Sequence, residues 1–442
     1  MPSSQDPIRI LAPHSFREVL SRRALLQMGA GSVGLAALLA ACGSDSKKSS
    51  NSTAATDAAT ATTTASSEAA ATTAGSTAAS TATSTAGSST GSILGEYSNV
   101  VNKSSGNLAM YTWGDYNDPD IVGSLAEKDL GVSMKVDYYA SNEDLITKLS
   151  ASNGTSGFDI VVPTGPYITQ MVQKGLLMKF DKDKLPNIVN VDPVYLGQDW
   201  DPGNEYSVCK NWGSTGWMWN AAEIDVDIKT WSDFISVCQN QASGNCAVLD
   251  TAPNVAGMYF WANGIDWTTE KKEDLDAAEK FLVDEFASHI KAFDSYPSTK
   301  IAEGAYTLAM AWNGDARQAY SRIADAGGNP DDWKWALGSP ETELWMDNYS
   351  IPAGAPNPDA AHAWINWLLT PEISIKDLQY HGYNSGMKNM EALIAELAPD
   401  LTRGDMIFFP DDQVATMRTG AVNSAQDRLS DILNKVKAKA GG

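Results

Sequence analysis

Gly157-Phe158-Asp159-Ile160-Val161-Val162-Pro163-Thr164 is the stretch from which the fold can be read outward. A short apolar run rich in β-branched residues and closed by a proline is the pattern of a parallel strand covered on both faces. Just upstream, Ser141-Asn142-Glu143-Asp144 has a capping serine with an acid three residues on, and it leads into the apolar Leu145-Ile146-Thr147-Lys148-Leu149 of a helix. Before it, Met134–Tyr139 alternates as a strand, and a helix opens at Pro119 and ends near Gly131. Leu108–Trp113 reads as the first strand, followed by a turn at Gly114–Asp118. Downstream, Tyr167–Gly175 is a further helix. The order β-α-β-α-β-α implies a mostly parallel sheet with helices on both faces. Ligands gather at the carboxyl ends of such strands, here the loops Trp113–Asp118 and Pro163–Tyr167.

The residues from about Ser98 to Gly442 are too many for one small core and predict two lobes. The second begins near Asn220. It holds an amphipathic helix whose apolar positions Leu275, Ala278, Phe281, Leu282, Phe286, Ile290 and Phe293 share one face, a core-packing pattern. A later helix, Ala360–Leu369, turns Trp364 and Leu368 inward and stops at Thr370-Pro371.

The N-terminus speaks to location. Ser21-Arg22-Arg23 precedes an uncharged Gly/Ala/Leu segment that ends Leu39-Ala40-Ala41-Cys42-Gly43. A basic flank, small residues and a terminal cysteine fit a twin-arginine-like export signal over 1–41, cleaved before a lipidated Cys42. From 43 to about 92 the chain is almost wholly Ser, Thr, Ala and Gly. So little apolar surface predicts a disordered tether, and roughly 50 such residues reach about 40 Å. Ser44-Asp45-Ser46-Lys47 matches a penicillin-binding-enzyme pattern but lies in this tether and carries no weight. The formal charge is −22; the leader's four arginines and two acids carry a net +2, so its removal leaves −24. Such acidity argues against nucleic acid and anionic lipid and mildly favours cationic ligands.

Three cysteines remain beyond Cys42, and outside the membrane one disulfide, most simply Cys238–Cys246, is open to them. His289, His362 and His381 have no metal-ligand spacing, and no calcium-binding loop, nucleophile elbow or phosphate loop is present. No metal and no cofactor is expected.

Tryptophan, with 14 copies, carries the chemistry. Trp113 is close to Asp115 and Tyr116; Trp312-Asn313-Gly314-Asp315 and Trp345-Met346-Asp347 repeat the pairing. An aromatic face attracts a cation at about 0.5–2 kcal/mol per contact, and a carboxylate gives it a charge-assisted hydrogen bond. Sugars also stack on Trp and bond to Asp, so composition leaves cation and carbohydrate ligands both open.

At these same residues the chain resembles the polyamine-binding (spermidine/putrescine) proteins of bacterial ABC importers, from Leu108 to about Glu372. Tyr111-Thr112-Trp113-Gly114-Asp115-Tyr116 resembles the family's first strand and ligand-facing loop, and Gly157–Thr164 its third-strand motif. Asp181–Asn187 is similar to a linking segment, and Trp212-Gly213-Ser214-Thr215-Gly216 to the approach to the hinge. Trp312–Asp315, with Gln318 after it, is similar to the putrescine-type members, Trp345–Asp347 to the spermidine type, and Ile365–Glu372 to a structural helix. Two departures stand out. The loop Leu249-Asp250-Thr251-Ala252-Pro253-Asn254 should carry an amine-binding acid near its end, where Asn254 stands and only Asp250 is acidic. Gly165-Pro166 displace an aromatic to Tyr167. Tyr383 matches a family pocket tyrosine.

The resemblance implies a two-lobe α/β periplasmic-binding fold of type II, with mostly parallel sheets flanked by helices and a two-crossover hinge near Asn220 and Trp345. The expected division is 98–220 for lobe 1, 221–344 for lobe 2, 345–395 back in lobe 1, and 396–442 as C-terminal helices on lobe 2. Ligand-binding residues would be Trp113, Asp115, Tyr116, Thr164, Tyr167, Asp250, Asn254, Trp312, Asp315, Trp345, Asp347 and Tyr383. The protein would be a monomer, lipid-anchored on the outer face of the cytoplasmic membrane. It would capture a polyamine by lobe closure and pass it to an ABC permease and its ATPase. Another amine, an amino-acid-like solute or a carbohydrate is the alternative ligand. An enzyme acting on cell-wall glycans through paired carboxylates is the competing class, but no catalytic constellation supports it.

Overall fold

The computed structural model describes residues 92–152 and 156–441. The expected export signal, Cys42 and nearly all of the tether lie outside the described residues.

Strand β1 (Gly106–Trp113) pairs in parallel with β2 (Val132–Tyr139) along its whole length. The helical connection between them ends in α1 (Ala126–Leu130). Helix α2 (Asn142–Ala151) starts where the cap motif predicts, with the Asp144 N–H donating to the Ser141 hydroxyl at 3.1 Å. Strand β3 is only Ile160–Val161 and pairs with the other edge of β1, giving the order β2-β1-β3. It is shorter than the apolar run Phe158–Val162 because the Val161 N–H turns to the Ser350 carbonyl, 2.9 Å away on a crossing segment. Helix α3 (Gly165–Gln173) follows Thr164.

Strand β4 (Val208–Asn220) is buried along nearly all of its 13 residues and serves both lobes. Lobe 2 then runs α4 (Trp231–Gln239), β5 (Cys246–Leu249), α5 (Ala252–Ala262), α6 (Lys272–Lys280), β6 (Ile290–Asp294), α7 (Pro297–Ala302), β7 (Leu308–Trp312), α8 (Asn313–Asp325) and β8 (Trp333–Leu337). Strand β9 (Thr342–Tyr349) returns the chain antiparallel to β4. Helices α9 (Pro358–Leu368), α10 (Pro371–His381) and α11 (Met390–Leu397) belong to the first lobe. Short α12 (Asp411–Val414) and β10 (Met417–Thr419, parallel to β9) lead to α13 (Gln426–Ala440), which packs on α5 and α6 of lobe 2.

The pairing of β4 places the change of lobe. Val208–Ser214 pairs with β9, whereas Thr215–Asn220 lies between β7 and β8. The switch therefore falls at Ser214/Thr215, opposite Leu344, while Asn220 is the far end of β4 inside lobe 2. Gly213 is required at this crossing, because a Cβ there would lie 2.5 Å from the Trp345 ring and 2.4 Å from Asn313 Oδ1.

Each lobe has its own core. In lobe 1, Leu108, Met110 and Ile160 meet Trp364 and Trp367 of α9; in lobe 2, Trp217, Trp231, Phe234 and Trp261 meet Leu429 and Ile432 of α13. The amphipathic pattern that begins at Leu275 is interrupted. Helix stops by Phe286, a turn spans Ala287–His289, and Ile290 and Phe293 sit on strand β6. Their helical spacing is a coincidence of two elements that face one core. Cys209, Cys238 and Cys246 are buried free thiols, so the Cys238–Cys246 disulfide is absent, and the Cys246 thiol donates to the Ala247 carbonyl at 3.8 Å.

Beneath the cleft, the buried Lys210 ammonium lies 2.8 Å from Asp377 and 4.4 Å from the centre of the Tyr116 ring. Burial pushes the Asp377 carboxyl up, but Lys210 and His381 more than offset it and hold it well below the usual range. Replacement Lys210→Met would strand Asp377 as a buried charge. It should cost about 3–5 kcal/mol, read as a lower midpoint in denaturant unfolding.

Candidate functional site: an acidic aromatic cleft between the lobes

A cavity of about 430 Å³ lies between the lobes over the β4–β9 crossing. Its lining carries six carboxylates (Glu143, Asp144, Asp250, Asp315, Glu343, Asp347) and one ammonium, Lys437. Four Trp and four Tyr, among them Trp113, Tyr167, Trp312 and Trp345, line it as well.

Asp347, near the lobe 1 end of β9, is held by two hydroxyls. Thr164 Oγ1 donates to Oδ1 and Tyr116 OH to Oδ2, each at 2.7 Å. Thr164 stands at the N-cap position of α3 and is itself fixed by Asn142, whose Nδ2 donates to Oγ1 at 3.0 Å. Burial raises the Asp347 carboxyl to about 6, with the Thr164 and Tyr116 hydrogen bonds pulling it back. Asp315 stands in the first turn of α8 and receives the Tyr383 hydroxyl at 2.5 Å. The same Tyr383 oxygen accepts the Asp315 N–H at 3.2 Å. Tyr383 can approach so closely because Gly314 has no Cβ, which would lie 2.4 Å from the ring. Burial raises Asp315 to about 7, against the Tyr383 hydrogen bond.

Trp345 lies between these acids, edge-on to Tyr383 at 4.8 Å between ring centres. Trp113 donates its indole N–H to the Val162 carbonyl at 3.1 Å, which fixes that wall. Tyr167 donates to Glu143 at 2.8 Å.

Two expected acids are already paired within the protein. Asp115 does not line the cavity: at φ 51° it turns outward and pairs with Arg322 of lobe 2 at 3.1 Å. Asp250 lines the cavity but is ion-paired with Lys437. Asn254, standing where the resemblance calls for an acid, donates its Nδ2 to Glu343 at 2.7 Å. Thr215 Oγ1 donates to the same carboxylate at 2.7 Å, and burial raises its pKa. Glu343 is the residue that sequence reasoning missed. Its signal was the alternation Glu343-x-Trp345-x-Asp347, which on a strand places all three on one face.

Direct contacts join the lobes, from the cavity lining at Tyr296, Gln426 and Glu143 and beyond it at Arg322 and Asp115. Tyr296 of lobe 2 donates its hydroxyl to the Tyr139 carbonyl at 2.9 Å and accepts the Gly114 N–H at 3.3 Å. Gln426 of α13 donates to Glu143 at 2.7 Å, and Arg322 holds Asp115. Together they form a clasp around a closed cleft.

Residues 121–415 match the family described as bacterial extracellular solute-binding protein. The spermidine/putrescine-binding periplasmic protein of Escherichia coli (strain K12) is 29% identical over 341 residues, covering 76% of this chain and 92% of that protein. A solved structure from Listeria monocytogenes, assigned to a spermidine/putrescine ABC transporter, superimposes with a TM-score of 0.66 at 26% identity; it covers 75% of this chain and 98% of that one. A lipoprotein of Treponema pallidum superimposes with a TM-score of 0.63 at 25% identity, over 75% and 99% of the two chains. The architecture is accordingly the type II periplasmic-binding-protein fold. With this fold and a match spanning most of the described residues, the chain belongs to the bacterial extracellular solute-binding proteins.

Proposed function

We propose that this protein captures a polyamine in the inter-lobe cleft and delivers it to the permease of an ABC importer. The observation that carries the reading is the lining itself, with six carboxylates against one ammonium that is already paired to Asp250. Neutral sugars would leave buried carboxylates without counter-charge, whereas an alkyl amine supplies cations for the acids and methylenes for the aromatic walls. The Escherichia coli relative is a spermidine/putrescine-binding protein, which supports the same class. The basic leader and Cys42 favour export and lipid anchoring, with the folded domain monomeric outside the membrane. No residue of the cleft is assigned a catalytic task.

In this mechanism Asp347 with Thr164 and Tyr116, and Asp315 with Tyr383, take up ammonium groups. Trp113, Trp312 and Trp345 cover the chain between them. Closure about the β4–β9 crossing excludes water and strengthens each ion pair.

Replacing Asp315 or Asp347 with Asn should weaken binding by about 2 kcal/mol or more, roughly thirtyfold, because a buried ammonium loses its counter-charge. Titration calorimetry with putrescine and spermidine reads this directly, and unchanged affinity in both variants would sink the reading.

A pH dependence follows from the raised acids. With carboxyls at about 6 and about 7, the protein is partly protonated below neutrality, and an incoming ammonium must displace those protons. Affinity should therefore rise from pH 5 to pH 8 and then level off, with proton release growing from near zero at pH 8 toward its largest value below about pH 6. Calorimetry in buffers of different ionisation enthalpy measures that release; affinity that is flat with pH would contradict it.

A further inference from the structure

Side chains alternate along a strand, so Glu343, Trp345 and Asp347 project from one face of β9. All three line the cleft. At a strand's rise, the Cα atoms of Glu343 and Asp347 stand about 13 Å apart with Trp345 midway. The two acids face different lobes. Glu343 is held by Asn254 and Thr215 of the lobe 2 side, Asp347 by Thr164 and Tyr116 of lobe 1. All four donors are uncharged, as is Tyr383, which holds Asp315. Nearby cations are engaged elsewhere: Lys437 with Asp250, Arg322 with Asp115, Lys210 with Asp377.

We infer that Glu343 anchors one cationic end of the ligand, and that the Glu343–Trp345–Asp347 face of β9 selects a linear triamine over a diamine. This rests on the cation-binding reading of the cleft. Length favours the longer molecule. Bonds of an extended chain advance roughly 1.25 Å each, so the nitrogens of a butane diamine lie about 6 Å apart and the outer nitrogens of a nine-bond triamine about 11 Å. With each ammonium about 2.8 Å from its carboxylate, acids at this spacing accept nitrogens roughly 7–13 Å apart, from end-on to side-on approach. The diamine falls short and the triamine fits. Charge points the same way. A diamine pairs two of Asp315, Glu343 and Asp347 and leaves the third desolvated without a counter-ion, whereas a triamine supplies one ammonium for each.

The test is titration calorimetry of the full chain with putrescine and spermidine, with melting temperatures taken in parallel. The wild type should bind spermidine at least tenfold more tightly. Glu343→Gln should reduce spermidine affinity at least tenfold more than putrescine affinity, and Glu343→Asp, which keeps the charge, should retain part of the preference. Should Glu343→Gln melt early, Asn254→Ala, which removes a donor that aims Glu343, must lower the same ratio by a smaller factor. Equal losses for both amines, an unchanged ratio, or a wild type that prefers putrescine would each overturn the Glu343 assignment and leave the cation-binding cleft standing. Binding of neither amine by the wild type would bring down the cation reading and this inference together.

Discussion

The antiparallel pairing of β4 with β9 is the constraint on which the rest of the molecule depends. It is the place where the backbone passes between lobes with both strands hydrogen-bonded, so any movement of the lobes has to be accommodated there. It is also the floor of the cleft, since the face of β9 that carries Trp345 and Asp347 is exposed to the cavity. Gly213 reconciles the two demands by letting the Trp345 ring lie against the neighbouring strand. Hinge and binding floor are thus one piece of structure, and a ligand on that floor bears directly on the geometry of closure.

The second organising fact is electrostatic. Carboxylates at Asp315, Glu343 and Asp347 are withdrawn from water and held by uncharged donors, so burial raises all three. A site of this kind is held in a costly state until a cation arrives. The contrast with Lys210, Asp377 and His381 is instructive. There the counter-charge is built into the protein, and Asp377 is held low. The same residue type is a structural element one layer below the cleft and a waiting partner within it; what differs is whether the chain supplies the cation.

Much of this was legible in the sequence where information is local. The Ser141 cap, the β1 and β2 strands and the apolar run at Ile160 are decided by neighbours a few residues away, and the structure has them. The pairs at Trp312/Asp315 and Trp345/Asp347 likewise reach the cleft. Information carried by the fold was not legible. Asp115 follows a ligand-facing motif, but a left-handed backbone and Arg322, 207 residues away, take it out of the cavity. Asp250 is neutralised by Lys437 from the last helix. Glu343 reads in one dimension as an ordinary polar position of a strand; only its meeting with Asn254, 89 residues distant, shows an acid supplied from another element. Periodicity also misled across Phe286, because two elements facing one core can keep a common rhythm by chance.

The clasp made by Tyr296, Arg322 and Gln426 touches the opposite lobe, Tyr296 and Gln426 from the cavity lining and Arg322 from beyond it. Its free energy favours the shut form whatever the cavity holds. Strengthening it would lengthen the dwell time of cargo, and it would equally raise the share of molecules that shut on nothing. An empty shut protein cannot admit a solute, so the association rate falls by the fraction withdrawn from the open pool. These contacts therefore set a compromise between retention and readiness, and the Arg322–Asp115 pair can shift it without altering any residue that lines the cavity.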